Sequence, residues 1–466
     1  MIKIILTTLF GVLLLVITGI VFYWRDIKHD PSGQDFLIFF GLIPLSITFL
    51  ILMPMLIKTF YEHHQEKKKQ KNAEAEQSLE TQVDAEKQVD GQIDWVQLQV
   101  FSVTSLSGLA ENEAHIDLLQ NPISPELDQQ LFNHFNLPTT SFRIAEIDDA
   151  VNNDVELAVF SPRRKRIVAL IQQQLERNTD VLSQIAAHLK NSALFYDVKL
   201  AHEYRMHPAW IDPNSEHKDE DVEQQVVVEA VPRLNRLNIH ILLAENLLHF
   251  WDEASTSAMV NEFLTGLGII PQHLDTQYHY LEAKTAYQDW IQRLKQIQYL
   301  DSEVSFFIVV DSEIDPETIA DAAWGFEKYI PSEYASSCCI THANVELQNL
   351  AARKYIRIAL NSDQAVKTLK GLNLEKAPQF AQDEPFVLIL DDPTETQLAK
   401  KLKLNFAESM IEEQHYLYSV SCIGQTQSLS KIFGFMLGLH FKDELYGYVY
   451  SAEHQQTQVI VGTEFA

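Results

Sequence analysis

Two apolar runs at the N-terminus constrain this chain more than anything that follows them. Ile2–Tyr23 is almost wholly apolar after Lys3, and Phe36–Phe60 is apolar except for Ser46, Thr48 and Lys58. Crossing roughly 30 Å of hydrocarbon takes a helix of about 20 such residues, so each run is long enough to span a bilayer. A signal peptide is disfavoured: its charged region would be one lysine, no A-x-A site follows, and a second run comes close behind. The expectation is a two-helix transmembrane hairpin over residues 1–60. The connection Trp24–Gln34 balances Arg25 and Lys28 against Asp26 and Asp30, whereas Lys58, Lys67, Lys68, Lys69 and Lys71 follow the second run. That lysine excess places both termini on the cytoplasmic side.

Residues 61–92 are rich in Glu, Gln, Lys and Ala with no sustained apolar stripe, the pattern of a charged tether. His63 and His64 are adjacent, point about 100° apart on a helix and have no third ligand nearby, so they do not make a metal site.

The formal net charge is −28. The first 60 residues hold four Lys/Arg and three Asp/Glu, so the excess negative charge lies entirely beyond them. A body this acidic repels phosphate backbones, which excludes nucleic acid as a partner. The cysteines are Cys338, Cys339 and Cys422, none in a CxxC pair. Few, apolar-flanked thiols fit buried packing in a reducing compartment.

From Ile93 the pattern becomes globular. Trp95–Val103 alternates as a strand, Arg163–Asn191 and Tyr280–Ile297 have helical periodicity, and Glu303–Asp315 is a continuous apolar run like a buried central strand. "FVLIL" and "YLYSVSCIG" predict further strands, each followed by a helix, and "GYVYSAEHQQTQVIVG" predicts two closing strands. Strands alternating with helices make the fold class α/β. No repeat of short period is present. Arg163–Arg166 follows Pro162 and reads as a solvated basic patch, with partner docking the alternative.

No GxGxxG, Walker or GxSxG motif occurs. In "HEYRMH" the histidines, His202 and His207, are five apart, about 140° around a helix, and do not ligate one metal from the same face.

Three segments in register resemble the thiolase-like, ketosynthase-type family. "IPSEYASSCCIT" carries Pro331, Glu333 and Ala335 in the order of a P-x-E-x-A stretch. The strand "FVLIL" runs into "DDPTETQ", with Asp391, or Asp392, where that family has a His-Gly-Thr-Gly-Thr turn. Gly424-Gln425-Thr426 stands for a Gly-His-Thr turn and opens a small-residue helix. The resemblance implies a thiolase-like layered α/β body preceded by two transmembrane helices. It divides the chain into the hairpin at 1–60, the tether at 61–92, an N-terminal part of the body at 93–280 and a C-terminal thiolase-like part at 281–466.

The departures bear on chemistry. Acyl transfer in that family needs a cysteine at a helix start and two basic groups. The nucleophile would fall near Glu282–Ala283, where no cysteine stands. Asp391 replaces the first histidine and would repel an oxyanion, and Gln425 cannot shuttle protons near neutral pH. Cys422 as a replacement nucleophile is less expected than Cys422 as core packing. The expectation is therefore no catalytic, cofactor-binding or metal-binding residue and no cofactor.

An inactive body of this kind is similar to the adapter proteins of bacterial type VI secretion that help a lipase effector reach the spike. That resemblance implies a bacterial inner-membrane protein with its body in the cytoplasm, and a lipase effector and a spike protein as partners. The alternatives are an acyl-transferring or lipid-acting enzyme at the inner membrane and a structural subunit of a membrane secretion complex.

Overall fold

The computed structural model describes residues 93–133, 135–153, 160–211, 230–316, 319, 330–424 and 428–465, with 17–20, 22–23 and 25–26. The chain divides into two units, Met1–Gln92 and Ile93–Ala466. The tether and nearly all of the two apolar runs, including the second in full, lie outside the described residues. Among the described residues no helix is long and apolar enough to cross a membrane.

The body is one mixed sheet whose strand order repeats. Its first set is β1 (Asp94–Ser107), β4 (Arg236–Ala244), β5 (Leu274–Leu281), β6 (Glu303–Ser312) and β7 (Glu333–His342). Its second is β8 (Lys354–Leu360), β9 (Val387–Ile389), β10 (Tyr416–Tyr418), β11 (Gly447–Tyr450) and β12 (Thr457–Gly462). The ten strands lie in the order β10-β9-β11-β12-β8-β1-β7-β6-β4-β5. In the first set β4, β5 and β6 are parallel, β7 is antiparallel to β6, and β1 is antiparallel to β7. In the second, β9, β10 and β11 are parallel, β12 is antiparallel to β11, and β8 is antiparallel to β12. Each set has its third strand at the edge and its first at the seam, and β1 and β8 join the sets antiparallel. The molecule is thus a duplication without a legible sequence repeat. A separate two-stranded hairpin, β2 (Leu127–Phe132) and β3 (Pro138–Thr140), is inserted after β1.

The helices are α1 (Ala114–Gln120), α2 (Asp148–Asn153), α3 (Pro162–Arg177), α4 (Thr179–Tyr196), α5 (Val198–Met206), α6 (Glu253–Gly266) and α7 (Ala286–Ile297) in the first repeat. The second holds α8 (Ala365–Gly371), α9 (Pro378–Gln382), α10 (Leu398–Asn405), α11 (Val420–Ile423) and α12 (Ser430–Gly438).

Three apolar cores order these into layers. Ile239, Ile241, Phe306 and Ile308 point into a core with Leu170 of α3, Leu189 of α4 and Val260 of α6. The alternate residues Leu242, Phe307 and Val309 point the other way, as the period-2 strand geometry requires, onto Trp290 and Leu294 of α7. That same core holds Phe433 and Phe435 of α12 and the inward residues Leu388, Val449 and Val461 of the second repeat. Val387, Ile389, Tyr448 and Ile460 face a third core with Leu369 of α8, Phe380 of α9 and Leu402 of α10. The layer order is helix, sheet, helix, sheet, helix. The central layer is α7 and α12, each lying between the third and fourth strands of its repeat. The Trp290 ring meets Phe307 at 4.9 Å and Phe435 at 5.4 Å, both edge-on, locking the two helices together.

Several boundaries differ from expectation. The helix placed over Tyr280–Ile297 begins only at Ala286, because Tyr280 and Leu281 extend β5 beside β4. Arg163–Asn191 is two helices broken at Asn178, whose buried amide bonds Ser102, Ser337 and the Gln174 carbonyl. A one-turn helix, α11, separates the strand Tyr416–Tyr418 from Gly424, so Cys422 lies on a helix instead of a strand. The point between residues 280 and 281 falls at the end of β5, inside the first repeat.

Candidate functional site

The duplicated plan brings the starts of the two central helices together, and the site is built there. Tyr287 is the second residue of α7, and Lys431 is the second of α12. Between them, just past the end of β9, lies Asp391, 1 % exposed. A carboxylate at that depth needs its charge matched. Lys431 Nζ stands 3.0 Å from Asp391 Oδ1 and 2.6 Å from Glu453 Oε2. Ser451 Oγ donates to Asp391 Oδ1 at 3.2 Å, and the Ala452 N–H donates to Oδ2. Burial lowers the affinity of Lys431 for its proton, but Asp391 and Glu453 outweigh it and hold the ammonium above its ordinary value.

The surroundings are set by the same charge. Burial, and then Asp391, raise the Tyr287 and Tyr450 phenols, so neither is a base near neutral pH. Both hydroxyls are buried without a hydrogen-bond partner among the described residues. Glu395 is raised by burial and by Asp391. His454 is lowered, first by burial, and its ring lies 5.6 Å from that of Tyr287. His454 also lines a cleft of about 240 Å³ with Gln288, Gln292, Asn361 and Gln456.

Asp391 was expected to present a repelling carboxylate. Its charge is instead cancelled by Lys431, 40 residues on, a partner the sequence analysis did not identify. The available signal was Lys431 itself: a single charge within "SLSKIFGFMLGL" calls for a buried counter-charge. Glu282 and Ala283 are exposed in the turn before α7. Gln425 and Thr426 lie outside the described residues. Gly424 has φ +65°, and a Cβ there would stand 2.8 Å from the Phe142 ring, so both backbone and packing require glycine.

All three thiols are free and buried. Cys422 Sγ faces the His115 carbonyl at 3.6 Å, and burial pushes the thiol up to about 12. The His115 imidazole turns elsewhere, to Ser107 Oγ and the Asn112 carbonyl, both at 3.0 Å. Burial brings it down to about 4. Cys422 therefore has neither the thiolate character nor the partner of a nucleophile. Among the described residues no group of three or more His, Cys, Asp or Glu is placed to hold a metal. His202 is exposed on α5, while His207 Nδ1 accepts from the Ala209 N–H at the helix end.

The basic cluster is corrected as well. Arg163 lies 2.8 Å from Asp311, and Arg166 binds Glu333 and Asp148, with Ser312 Oγ donating to Glu333 at 2.7 Å. These two arginines are buried counter-ions that fasten α3 to β6 and β7, so they form neither a solvated patch nor a docking surface.

No family model matches the sequence, and no curated protein sequence does either. Among solved structures, the chain is similar to the module 6 ketosynthase of the bacillaene synthase from Bacillus subtilis 168. The identity is 10%, 78% of this chain and 71% of that one are covered, and the TM-score is 0.44. It is also similar to an oxazolomycin ketosynthase domain from Streptomyces albus JA3453, at 11% identity over 79% and 75% with a TM-score of 0.43. A third is the peroxisomal 3-ketoacyl-CoA thiolase of Saccharomyces cerevisiae, at 9% identity over 49% and 83% with a TM-score of 0.31. That thiolase is described as a five-layered α-β-α-β-α structure constructed from two core domains of identical topology.

Proposed function

We propose that this chain is a membrane-anchored, non-catalytic binding protein on a thiolase-like body. In its specific form the reading is an adapter that holds a lipase effector and helps load it onto the spike of a type VI secretion system. The observation that supports the non-catalytic part is the Asp391–Lys431 pair. It occupies the convergence of the two central helices, where acyl transfer in the family this chain resembles needs a free thiol and two imidazoles. Each Asp391 oxygen is engaged, the ammonium is held charged, and no thiolate is available beside it. The partners rest on the sequence resemblance, and the anchor rests on the two apolar runs.

The test is crosslinking of the full chain in the producing cell, followed by mass spectrometry of what is joined to it. Recovery of a lipase and a spike protein is the expected result. Recovery of only membrane-complex subunits, or of no partner, overturns the adapter. Turnover of an acyl thioester by the purified full chain overturns the non-catalytic reading on its own.

A further inference from the structure

At the free edge of the first repeat, two imidazoles and one guanidinium gather. His240 of β4 and His279 of β5 are hydrogen-bonded through ring nitrogens, Nδ1 to Nε2, at 3.1 Å. Their rings stack with centroids 5.3 Å apart, and His240 stacks in turn on Phe307 at 4.6 Å. His240 pairs in register with Phe307 and His279 with Leu242, so both rings lie on the face turned toward α7. From α7 comes Arg293, whose charge acts on both imidazoles. Its Nε is buried with no acceptor, and it makes no ion pair among the described residues. Asp289 acts on the guanidinium and Asp275 on His240 without forming an ion pair with either, and they take hydrogen bonds from Thr285 at 3.1 Å and from Gln277 at 2.7 Å.

We propose that His240, His279 and Arg293 form a binding site for a small oxyanion, a phosphate or a carboxylate. Whichever tautomers the pair adopts, one ring nitrogen donates to the other, leaving one outward N–H and one outward acceptor. The guanidinium supplies further donors in a fork suited to two oxygens. Burial keeps both imidazoles uncharged, at about 4 and about 3, so the charge attracting the anion is that of Arg293. All three side chains are only partly buried, which leaves them reachable from solvent. What sets Arg293 apart is a buried Nε left without an acceptor beside two uncharged imidazoles.

The test is calorimetric titration of the purified full chain with inorganic phosphate and, separately, with acetate, against chloride at matched ionic strength. Saturable binding is expected, weakened about tenfold or more in Arg293→Met, the scale of one lost charge-assisted hydrogen bond. His279→Gln, which changes the ring pair and keeps the guanidinium, should weaken it as well. Arg353→Met, at an exposed arginine paired with Glu113, should leave it unchanged. Binding of phosphate alone assigns a phosphate site, and binding of both anions assigns a site that also accepts a carboxylate side chain. No binding beyond chloride, or equal binding in both site variants, overturns the proposal. A thermal unfolding profile shared with the parent chain shows that each variant is folded.

Discussion

Asp391 shows how one residue's meaning depends on what meets it in space. At 1 % exposure it is met by Lys431, Ser451 and the Ala452 amide, which converge on its two oxygens. Removing one member of a buried pair strips the other of its counter-charge, and without Asp391 the ammonium keeps only the half-exposed Glu453. Asp391→Asn is therefore expected to cost about 3 kcal/mol, read as a fall in the urea midpoint. Asp391→Asn combined with Lys431→Met should recover part of that loss. If the double variant is as unstable as the sum of the singles, the two side chains are not a pair. Because its partners raise Lys431, the ammonium's share of this stability is present below the ordinary lysine value of about 10.4 and is lost as pH climbs through the folded value. The sequence pointed to Asp391 as the residue of interest and missed its partner. Nothing in local spacing ties the end of a strand to the first turn of a helix 40 residues later.

At the scale of elements, α12 is set by the absence of side chains. A Cβ at Gly438 would stand 2.5 Å from Val449 Cγ2, and one at Gly434 would stand 2.7 Å from Leu390 Cδ2. These two glycines, four apart, give the helix a flat face on which the second sheet rests. Gly438→Val is expected to destabilise by about 1–3 kcal/mol through overpacking. Gly266, at the end of α6, has open space around it, and Gly266→Ala should stabilise by about 0.5 kcal/mol. Chemical denaturation of both variants checks the contrast, and equal effects would mean that helix propensity, not contact with the sheet, governs α12. Elements with a strong local pattern were legible: the buried run Glu303–Asp315 is β6, and the closing strands are β11 and β12. What was not legible depends on tertiary partners. The break at Asn178 has no Gly or Pro to announce it, since the amide's bonds go to β1, to β7 and to the preceding helical turn. The start of α7 was placed early because Tyr280 and Leu281 fit a helical stripe as well as the strand they join. The duplication was invisible because a repeat of strand order needs only alternating apolar residues, which unrelated sequences supply.

For the body as a whole, the uncharged histidines set its response to acid. Burial brings His115, His240 and His273 down to about 4, and His440 down to about 3. The unfolded chain binds these protons near 6.5 while the folded body refuses them, so stability present above 6.5 is lost as pH falls toward the folded values. At pH 5 each fully buried imidazole of this kind costs about 2 kcal/mol. The opposing effect is relief of self-repulsion in a chain of net charge −28. Ordinary carboxylates titrate near 4, so little of that relief has arrived at pH 5, and the histidine effect wins in the interval between. His115 and His440 both reach the seam strand β1, through Ser107 and Ser105, so their protonation strikes where the two repeats join. The urea midpoint is expected to fall between pH 7 and pH 5, and the slope should flatten in His440→Gln, which retains a donor for Ser105 without titrating. A midpoint constant across that interval would mean that these imidazoles take up protons in the folded body as readily as in the unfolded chain.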